Sequence, residues 1–435
     1  MIAPSSIQCD LCVIGSGMAG LSAAFFAARK GIRTVMAGRT GEILFATGLF
    51  DLMAVHPLET GEIWDDPWAC IAQLSNDLPQ HPYARIPPDR IRSAFDALIA
   101  FLEGAGMPYT GLPERNSQVL TSIGTFKPTY RLPVTMWNGI DVCRRKTPCL
   151  LVDFRGLKGF SAVQIAAMIG AGWPALHTLR IDFPNAARSG ELFPERLALT
   201  LETAEGREEL AAAIQPRLKD AEAVGLPAIL GLSDPQAVMV DLQRRLKVRV
   251  FEIPTMPPGV TGLRLKDAFE RGLRDLGVGL LLENRIFRAE ADPRGGFRLH
   301  AGRTEVEAVI EARSVILATG RFLGGGLTAD RQMVKESLFD LPVHQPERRD
   351  QWHREDFLDR RGHPVNRAGL ETDRHFRPLD RSGRPAHPRL FAAGSILAHQ
   401  DWVRMKCGSG LAVATAWVAV EGAGEMFREP LASPG

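Results

Sequence analysis

Three glycine-containing motifs, each preceded by an apolar run typical of a buried strand, stand far apart in the chain. The first, Gly15-Ser16-Gly17-Met18-Ala19-Gly20, follows Leu11 to Ile14, and the other two are Thr319-Gly320 and Gly394-Ser395. The first has the GxGxxG spacing of a dinucleotide fingerprint, whose glycines permit a tight turn, close approach of a pyrophosphate and close helix packing. Apolar residues at helical spacing follow the motif, so a phosphate would bind at the N-terminus of that helix. The motif predicts a nucleotide-type cofactor.

The strand after the first motif lacks the acidic residue that usually completes such a site. Thr34 to Ala37 has the composition of a strand, and an Asp or Glu at its end would bind the ribose of a dinucleotide. Gly38 and Arg39 stand there instead. The gap weakens the prediction of an adenosine-containing cofactor, and Arg39 is a candidate to bind a cofactor phosphate.

The composition excludes several function classes. The 435 residues are 45% hydrophobic and 23% charged, and 52 Lys and Arg stand against 50 Asp and Glu. This balance gives no electrostatic basis for binding nucleic acid or an anionic membrane. The apolar stretches are shorter than the about 20 residues that span a bilayer. The first residues lack a basic n-region, and Asp10 interrupts the apolar run that follows, so we do not expect export. We expect a cytoplasmic protein.

The six cysteines are scattered along the chain. Cys9 and Cys12 have the spacing of a metal or redox pair, but no second pair or nearby His follows them, and Cys12 falls within a predicted buried strand. We interpret them as core residues. The spacing of the cysteines predicts neither an iron–sulfur cluster nor a metal site.

Strands and helices alternate along the chain, which favours an α/β fold. We predict strands over 146–154, 223–232, 248–253 and 278–282, helices over 160–169 and 265–276, and a β-meander through 297–311. The predicted architecture is a Rossmann-like FAD/NAD(P)-binding domain with a mostly parallel sheet, interrupted by an inserted α+β or αβ domain. The cofactor-binding domain is assigned residues 1–75, 255–330 and 386–435, the inserted or cap domain residues 76–254, and a polar excursion or lid residues 331–385.

The three glycine motifs make sense together if their strands lie side by side and present glycines to one ligand. In this the chain resembles the flavoprotein superfamily of succinate dehydrogenase and fumarate reductase flavoprotein subunits. In that superfamily the N-terminus of the last helix faces the flavin pyrimidine ring, where its dipole stabilises the negative charge of the reduced flavin. The resemblance gives this role to Gly408-Ser409-Gly410, and Arg404 and Lys406 are candidate cations beside it.

A more specific resemblance is to the B subunits of anaerobic glycerol-3-phosphate dehydrogenases. It is carried, in the same order along nearly the whole chain, by FATGLFDLM at 45–53, HPYARI at 81–86, IPTMPPGVTGLRL at 253–265, ATGRFLGGGLTADR at 318–331 and LFAAGSI at 390–396. The resemblance implies a flavoprotein, usually assigned FMN. Together with the missing carboxylate at residue 38, it leads us to prefer FMN, with FAD as the alternative.

The resemblance also implies a function and partners. Such a complex oxidises glycerol 3-phosphate to dihydroxyacetone phosphate and passes electrons to quinone, with fumarate or nitrate as terminal acceptor. The implied partners are an FAD-bearing catalytic A subunit and a membrane-bound iron–sulfur C subunit. The chain would then be peripheral at the inner face of the cell membrane through its partners.

The predicted cofactor-binding residues come from the three motifs, the start of the last helix and the early apolar loop. They are Gly15, Ser16, Gly17, Ala19, Gly20, Arg39, Thr47, Gly48, Thr319, Gly320, Gly394, Ser395, Gly408, Ser409 and Gly410.

No residue is assigned as the catalytic base. His399, Asp401 and Asp51 each have a position from which they would face a flavin, and each is equally well explained as a turn residue. Geometry must be known before a base is named. We interpret His81 and His344 as loop residues.

Two other functions stay open. In one, the chain is a self-sufficient soluble flavin oxidoreductase of a small acid, and its middle region is a substrate cap. In the other, it is a non-catalytic scaffold that retains a flavoprotein fold, for which the missing carboxylate at residue 38 is the best support.

Overall fold

The structure, a computed structural model, describes residues 4–39, 41–184, 190–292 and 295–428. The chain divides into two compact units. Unit 1 comprises Met1–Glu42, Asp51–Leu98 and Phe269–Gly435, and unit 2 comprises Ile43–Phe50 and Ile99–Ala268.

Strands and helices are numbered in chain order. The strands are β1 (Ser5–Ile14), β2 (Thr34–Gly38), β3 (Tyr109–Thr110), β4 (Ser117–Leu120), β5 (Phe126–Thr129), β6 (Leu132–Pro133), β7 (Cys149–Phe154), β8 (Leu176–Ile181), β9 (Ala223–Pro227), β10 (Arg249–Ile253), β11 (Gly279–Leu282), β12 (Arg285–Ala291), β13 (Phe297–Gly302), β14 (Ala308–Leu317), β15 (Leu327–Ala329), β16 (Val334–Glu336), β17 (Val343–His344), β18 (Gly369–Leu370) and β19 (Leu390–Ala392).

The α-helices are α1 (Met18–Arg29), α2 (Gly41–Leu44), α3 (Pro67–Asp77), α4 (Pro88–Gly104), α5 (Val134–Arg145), α6 (Ala162–Ile169), α7 (Pro194–Leu201), α8 (Ala204–Ile214), α9 (Pro235–Leu246), α10 (Val260–Asp275), α11 (Trp402–Met405) and α12 (Gly408–Arg428). Short 3-10 helices cover Pro82–Arg85, Gly170–Gly172, Gln215–Arg217, Arg349–Gln351, Pro364–Arg367 and Gly394–Ile396.

Unit 1 is built on a seven-stranded sheet in the order β11-β2-β1-β14-β13-β12, with β19 paired to β14. Strand β1 is parallel to both β2 and β14, and Ile14 lies opposite Ala37 and Leu317. Leu317 in turn lies opposite Ala392 of the parallel strand β19. The strands that precede the three glycine motifs are therefore adjacent, as predicted. The predicted meander is confirmed as the antiparallel run β12-β13-β14.

Two helices of unit 1 begin at glycine motifs. Helix α1 is buried along most of its length, and Gly17 is its N-cap residue. Helix α12 begins at Gly408, as predicted, and buries Leu411, Ala414 and Val418. Across the described ranges, no helix combines the length and the apolar character needed to cross a membrane.

Several predicted ranges fall differently in the structure. Residues 43–50 and 255–268, which we assigned to the cofactor-binding domain, belong to unit 2. Residues 76–98, which we assigned to the inserted domain, belong to unit 1. Residues 331–385, predicted as a polar excursion, also belong to unit 1, and they bury Trp352, Leu370 and Phe376. Widely spaced apolar residues thus anchor a segment whose many charges and prolines suggested exposure.

Unit 2 contains a four-stranded parallel sheet in the order β10-β9-β7-β8. Every residue of β7 is buried, which agrees with its largely apolar sequence. The strand predicted over 223–232 ends earlier, at Pro227. A proline lacks the N–H that a hydrogen-bond ladder needs, and the partner strand β10 also ends at the residue opposite it, Ile253.

A fully buried ion pair lies in unit 2. The Arg264 guanidinium donates to both carboxylate oxygens of Glu252 at 2.8 Å, and Thr135 Oγ1 and the Leu230 N–H donate to the same carboxylate. Burial acts to raise the pKa of Glu252, but Arg264 and these hydrogen bonds outweigh it and leave the pKa lowered. The pair therefore stabilises unit 2 above the unfolded carboxyl pKa, and this contribution is lost as the pH falls through the lowered folded value.

Changing Arg264 to Met should destabilise the protein by about 3–5 kcal/mol, because it leaves a buried carboxylate without its counter-charge. Urea unfolding measures the loss. The control is Arg274→Met, which removes a more exposed arginine that lies 3.5 Å from Glu270. We expect that control to stay within about 0.5 kcal/mol of the parent chain. Equal destabilisation by the two changes would contradict this account.

Candidate functional site

The turn after β1 packs directly on the end of β14. Gly15 has a φ of 117°, and a Cβ on it would overlap the Ala318 carbonyl oxygen. A Cβ on Gly20 would overlap the Gly15 carbonyl oxygen, so the first turn of α1 rests on the same turn. The first and second glycine motifs are therefore in contact, and residues 15 and 20 have no room for a side chain.

The third motif joins them from the end of β19. Gly394 has a φ of 79°, and a Cβ on it would lie 2.6 Å from the Ala19 Cβ in the first turn of α1. Its N–H donates to Thr415 Oγ1 of α12 at 2.9 Å. The structure thus brings the three motifs together, and we call Gly15–Gly20, Thr319–Gly320 and Gly394–Ser395 the glycine wall.

Two groups of the glycine wall are available to a ligand. Gly17 offers no side-chain cap to the first turn of α1, whose leading N–H groups have no partner within the helix. These groups and the helix dipole favour an anion such as a phosphate. The Thr319 hydroxyl is buried and has no hydrogen-bond partner among the described residues. Buried hydroxyls are normally satisfied, so this one points to a missing partner.

Arg321 ties the wall to the segment that follows β19. Its guanidinium donates to the carbonyl oxygens of Ser395 at 2.8 Å and Gln400 at 2.7 Å, and also to that of Asn366. Burial lowers the pKa of Arg321 to about 10, so it stays protonated at neutral pH. Our sequence reasoning missed this partly buried cation, although it directly follows Gly320.

The start of α12 is packed against the segment around Asp51. The Gly410 N–H donates to the Asp51 carbonyl oxygen at 2.7 Å, and a Cβ on Gly410 would lie 2.9 Å from Leu52 Cα. Tyr83 Oη donates to the Leu52 carbonyl oxygen at 2.8 Å. The Asp51 side chain is buried in this region. The predicted residues Gly408, Ser409 and Gly410 thus form a helix N-terminus, and the Gly410 amide is already engaged by the main chain.

The end of β2 explains the missing ribose carboxylate. A Cβ on Gly38 would lie 2.6 Å from Ser16 N and 2.9 Å from Ser16 Oγ. The Ser16 hydroxyl donates to the carbonyl oxygen of Arg39, whose side chain is exposed. The fingerprint loop therefore occupies the space that a side chain at residue 38 would need.

Two of the predicted cofactor-binding residues belong to unit 2. Thr47 Oγ1 accepts a hydrogen bond from Leu49 N at 3.4 Å, and Gly48 has a φ of 78° and lies close to Thr261. The contacts that build the glycine wall in unit 1 do not include these two residues.

His344 and His399 lie together with a carboxylate. His399 Nε2 is 2.8 Å from Glu371 Oε1, and the rings of His344 and His399 have centroids 4.2 Å apart. Burial, followed by the charge of His399, lowers the pKa of His344. His344, which we interpreted as a loop residue, is the second residue of the short strand β17. The sequence carries no signal for this cluster, because its members stand far apart in the chain.

His81 is fully buried rather than part of an exposed loop. It precedes the 3-10 helix Pro82–Arg85, and its Nδ1 accepts a hydrogen bond from Tyr83 N at 3.1 Å. Its Nε2 has no hydrogen-bond partner among the described residues. Burial lowers the pKa of His81 to about 3, assisted by the positive charges of His56, His399, Arg367 and Arg85. His81 is therefore neutral at physiological pH.

The other charged candidates, Asp401, Arg404 and Lys406, all lie in or beside the short helix α11. Asp401 is the N-cap residue of α11, where it accepts hydrogen bonds from Arg404 N at 3.3 Å and from Asn366 Nδ2 at 3.1 Å. The Arg404 guanidinium lies 3.5 Å from the same carboxylate. Lys406 ends α11 in the left-handed conformation. Asp401 is thus a capping residue rather than a base with a free carboxylate.

The glycine wall fits a flavin nucleotide. It combines an uncapped helix N-terminus suited to a phosphate with a buried hydroxyl that has no partner among the described residues. Two neighbours adjoin it: α12, which begins at Gly408 and hydrogen-bonds to Gly394 through Thr415, and the partly buried guanidinium of Arg321, which donates to the Ser395 carbonyl oxygen. Such groups bind a phosphate and stabilise negative charge on a ring system.

Comparisons with known proteins agree with this fit. The chain matches the family described as FAD binding domain over residues 10–411. A protein of Halobacterium salinarum, named as a probable B subunit of anaerobic glycerol-3-phosphate dehydrogenase, is 31% identical over 438 residues, which cover 98% of this chain and 100% of the relative. A Vibrio vulnificus protein, named as a B subunit of the same dehydrogenase, is 29% identical, and the match covers 95% of each chain.

Among solved structures, a 3-ketosteroid Δ1-dehydrogenase from Sterolibacterium denitrificans aligns with 96% of this chain and 100% of its own, at 12% identity and a TM-score of 0.43. This likeness is too low to support an argument about function.

Changing Gly15 to Ala should abolish stable flavin retention, because a methyl group there would push the ends of β1 and β14 apart. The matched control is Gly31→Ala. Gly31 also has a positive φ, of 72°, but no atom lies within 4 Å of its Cβ position. Both changes impose backbone strain of about 1–3 kcal/mol, and only the first adds steric overlap. Visible absorbance after desalting measures retained flavin, and equal retention by the two variants would refute the role of the wall.

Proposed function

The chain belongs to the FAD-binding domain family and, within it, to the family of anaerobic glycerol-3-phosphate dehydrogenase B subunits. We propose from this premise that it is the flavoprotein subunit of a complex that oxidises glycerol 3-phosphate to dihydroxyacetone phosphate. The observation that carries the proposal is the alignment with the Halobacterium relative over 98% of this chain and 100% of that relative. The glycine wall of unit 1 supports it with a site suited to a flavin.

A bound flavin supplies the acceptor for a hydride in such an oxidation. The residues of this chain bind and surround it. The first turn of α1, after Gly17, would hold the phosphate, and the Thr319 hydroxyl would hydrogen-bond the cofactor. The start of α12 and the Arg321 guanidinium would favour negative charge on a ring bound beside them. None of these groups is a proton acceptor at neutral pH, so the wall binds the cofactor and does not itself deprotonate a substrate.

We propose FMN as the cofactor on one observation of this chain. The family description names FAD, and the comparisons give no support to FMN. Residue 38, where a ribose-binding carboxylate would stand, is a glycine packed against Ser16. An adenosine ribose would therefore lack its usual acidic partner at the end of β2. A mononucleotide needs the phosphate site at α1 and no ribose site beyond it.

The partners and the acceptor are also proposals. The relatives are named as B subunits, and this name is the basis for placing the chain in a complex with other subunits. We propose an FAD-bearing catalytic A subunit and a membrane-bound iron–sulfur C subunit that passes electrons to quinone, with fumarate or nitrate as terminal acceptor. The chain then lies at the inner face of the membrane through its partners. Its own role is electron transfer through the glycine wall.

The cofactor is identified by denaturing the purified chain and determining the mass of the released flavin. We expect FMN at about one equivalent per chain. Reconstitution of stripped protein provides the control, because FMN should restore the visible spectrum and FAD should bind at least about tenfold more weakly, a difference of about 1.4 kcal/mol. Recovery of FAD alone at one equivalent would overturn the FMN proposal and leave the flavoprotein assignment intact.

The proposed place in a complex is tested by glycerol 3-phosphate-dependent reduction of a quinone analogue. The isolated chain should be inactive, and the co-expressed A, B and C chains should be active. A complex that contains the Gly15→Ala chain should lose quinone reduction while its A subunit is still reduced by substrate, and the Gly31→Ala complex should keep both. Full activity of the isolated chain would favour a self-sufficient oxidoreductase, and a chain that never binds flavin would favour a scaffold.

A further inference from the structure

Three side chains of unit 1 that the flavin site does not use converge as a set of metal ligands. They are His344 at the end of β17, Glu371 directly after β18, and His399 beyond the third glycine motif. One ligand atom of each lies within 4.8 Å of the others. His399 Nε2 is 2.8 Å and His344 Nδ1 is 3.7 Å from the same oxygen, Glu371 Oε1. Among the described residues, this is the one group of three such ligands that could share an ion.

Main-chain hydrogen bonds fix the three residues relative to one another. His344 pairs with Gly369 in the β17–β18 ladder, and Leu370 of β18 forms a parallel bridge with Leu397. The N–H of Ala398 donates to the Leu370 carbonyl oxygen at 3.0 Å, and the N–H of His399 donates to that of Arg367 at 3.0 Å. The cluster is therefore assembled on one small backbone framework from segments far apart in sequence.

His399 adopts a backbone conformation that side-chain-bearing residues rarely take. Its φ is 63°, in the left-handed region where a residue other than glycine is uncommon. The surrounding hydrogen bonds hold it there, and such strain is found preferentially at ligand and active sites. In this conformation His399 Nε2 lies 2.8 Å from Glu371 Oε1.

The donor set is suited to a divalent transition metal. Two imidazoles and one carboxylate form a common set of three protein ligands for catalytic Zn²⁺, and the same set binds other first-row metals. His344 and Glu371 are both partly exposed, so an ion can reach the cluster from solvent. Three protein ligands leave at least one coordination position for water or for an oxygen atom of a small ligand.

A simple ion pair does not account for all three residues. The 2.8 Å contact between His399 and Glu371 is sufficient for a pair, yet His344 Nδ1 also approaches the same oxygen, at 3.7 Å. Glu371 Oε1 thus lies within 4 Å of a ring nitrogen of each histidine, so one ion placed among these atoms would be coordinated by all three side chains.

We propose that His344, Glu371 and His399 bind one divalent transition-metal ion of the Zn²⁺ class. The ligand atoms are a ring nitrogen of each histidine and an oxygen of the Glu371 carboxylate. The site leaves a coordination position open to water or a small oxygen ligand. This inference concerns unit 1 alone and does not rest on the proposed function.

The proposal is tested on the full chain with its bound cofactor, after chelator treatment and removal of the chelator. Titration calorimetry with Zn²⁺ should show one tight site per chain. Glu371→Gln and His399→Gln should each weaken it by roughly a hundredfold or more, since changes to partners outside the ligand shell already cost about 10–100-fold. The matched control is His375→Gln. His375 lies 4.0 Å from the Glu425 carboxylate and belongs to no such group of three among the described residues.

A second variant keeps the test independent of folding. His344→Cys replaces one ligand by another, so it should retain Co²⁺ binding and add a thiolate-to-metal charge-transfer band that the parent chain lacks. An unchanged circular dichroism spectrum and urea unfolding midpoint in every variant show that the fold is intact. Absence of a one-to-one site in the parent chain would overturn the proposal. So would equal weakening by His375→Gln, or a His344→Cys chain that binds Co²⁺ without the new band.

Discussion

The structure of unit 1 depends on the close approach of three strand ends, which is possible only because glycines stand at the contacts. A Cβ on Gly15 would overlap the end of β14, and one on Gly394 would press on the first turn of α1. The central strand β1 keeps its register with β14 up to the last pair, Ile14 and Leu317. The first turn of α1 lies at this contact, and the close packing that forbids side chains there also creates the polar main-chain surface that a nucleotide needs.

Each unit holds an arginine away from solvent, and the two arginines have different hydrogen-bond partners. In unit 2 the buried Arg264 is neutralised by a carboxylate, Glu252, at 2.8 Å. In unit 1 the partly buried Arg321 donates to uncharged carbonyl oxygens, which satisfy its N–H groups without cancelling its charge. The negative charge of Asp401 offsets part of this positive charge and acts to raise the pKa of Arg321, but no hydrogen bond joins the two side chains among the described contacts. The ion pair of Arg264 and Glu252 stabilises unit 2, whereas the surroundings of Arg321 suit a ligand that acquires negative charge.

The sequence predicts the parts of the site that obey local rules, and it fails where tertiary contacts decide. The motif at Gly15–Gly20 and the helix that starts at Gly408 follow from glycine spacing and apolar periodicity, and the structure confirms the adjacency of the three strands. His344 and His399 meet only because short strands and a bridge bring their segments together. The charge-rich segment 331–385 likewise predicts exposure, yet Phe376 within it has no accessible surface. The burial of a loop that packs on the core depends on the segments it contacts, and local sequence periodicity does not reveal it.

The glycine at residue 38 acquires a different meaning from these contacts. As a gap in a motif, it favours a scaffold that has lost its cofactor. In the structure, Ser16 fills the space beside Gly38 and its hydroxyl donates to the Arg39 carbonyl oxygen, which ties the fingerprint loop to the end of β2. A carboxylate at residue 38 would displace that loop from the phosphate site. The missing carboxylate is therefore a requirement of the loop conformation and not a sign of decay, so the scaffold hypothesis loses its main support while a phosphate site at α1 is kept.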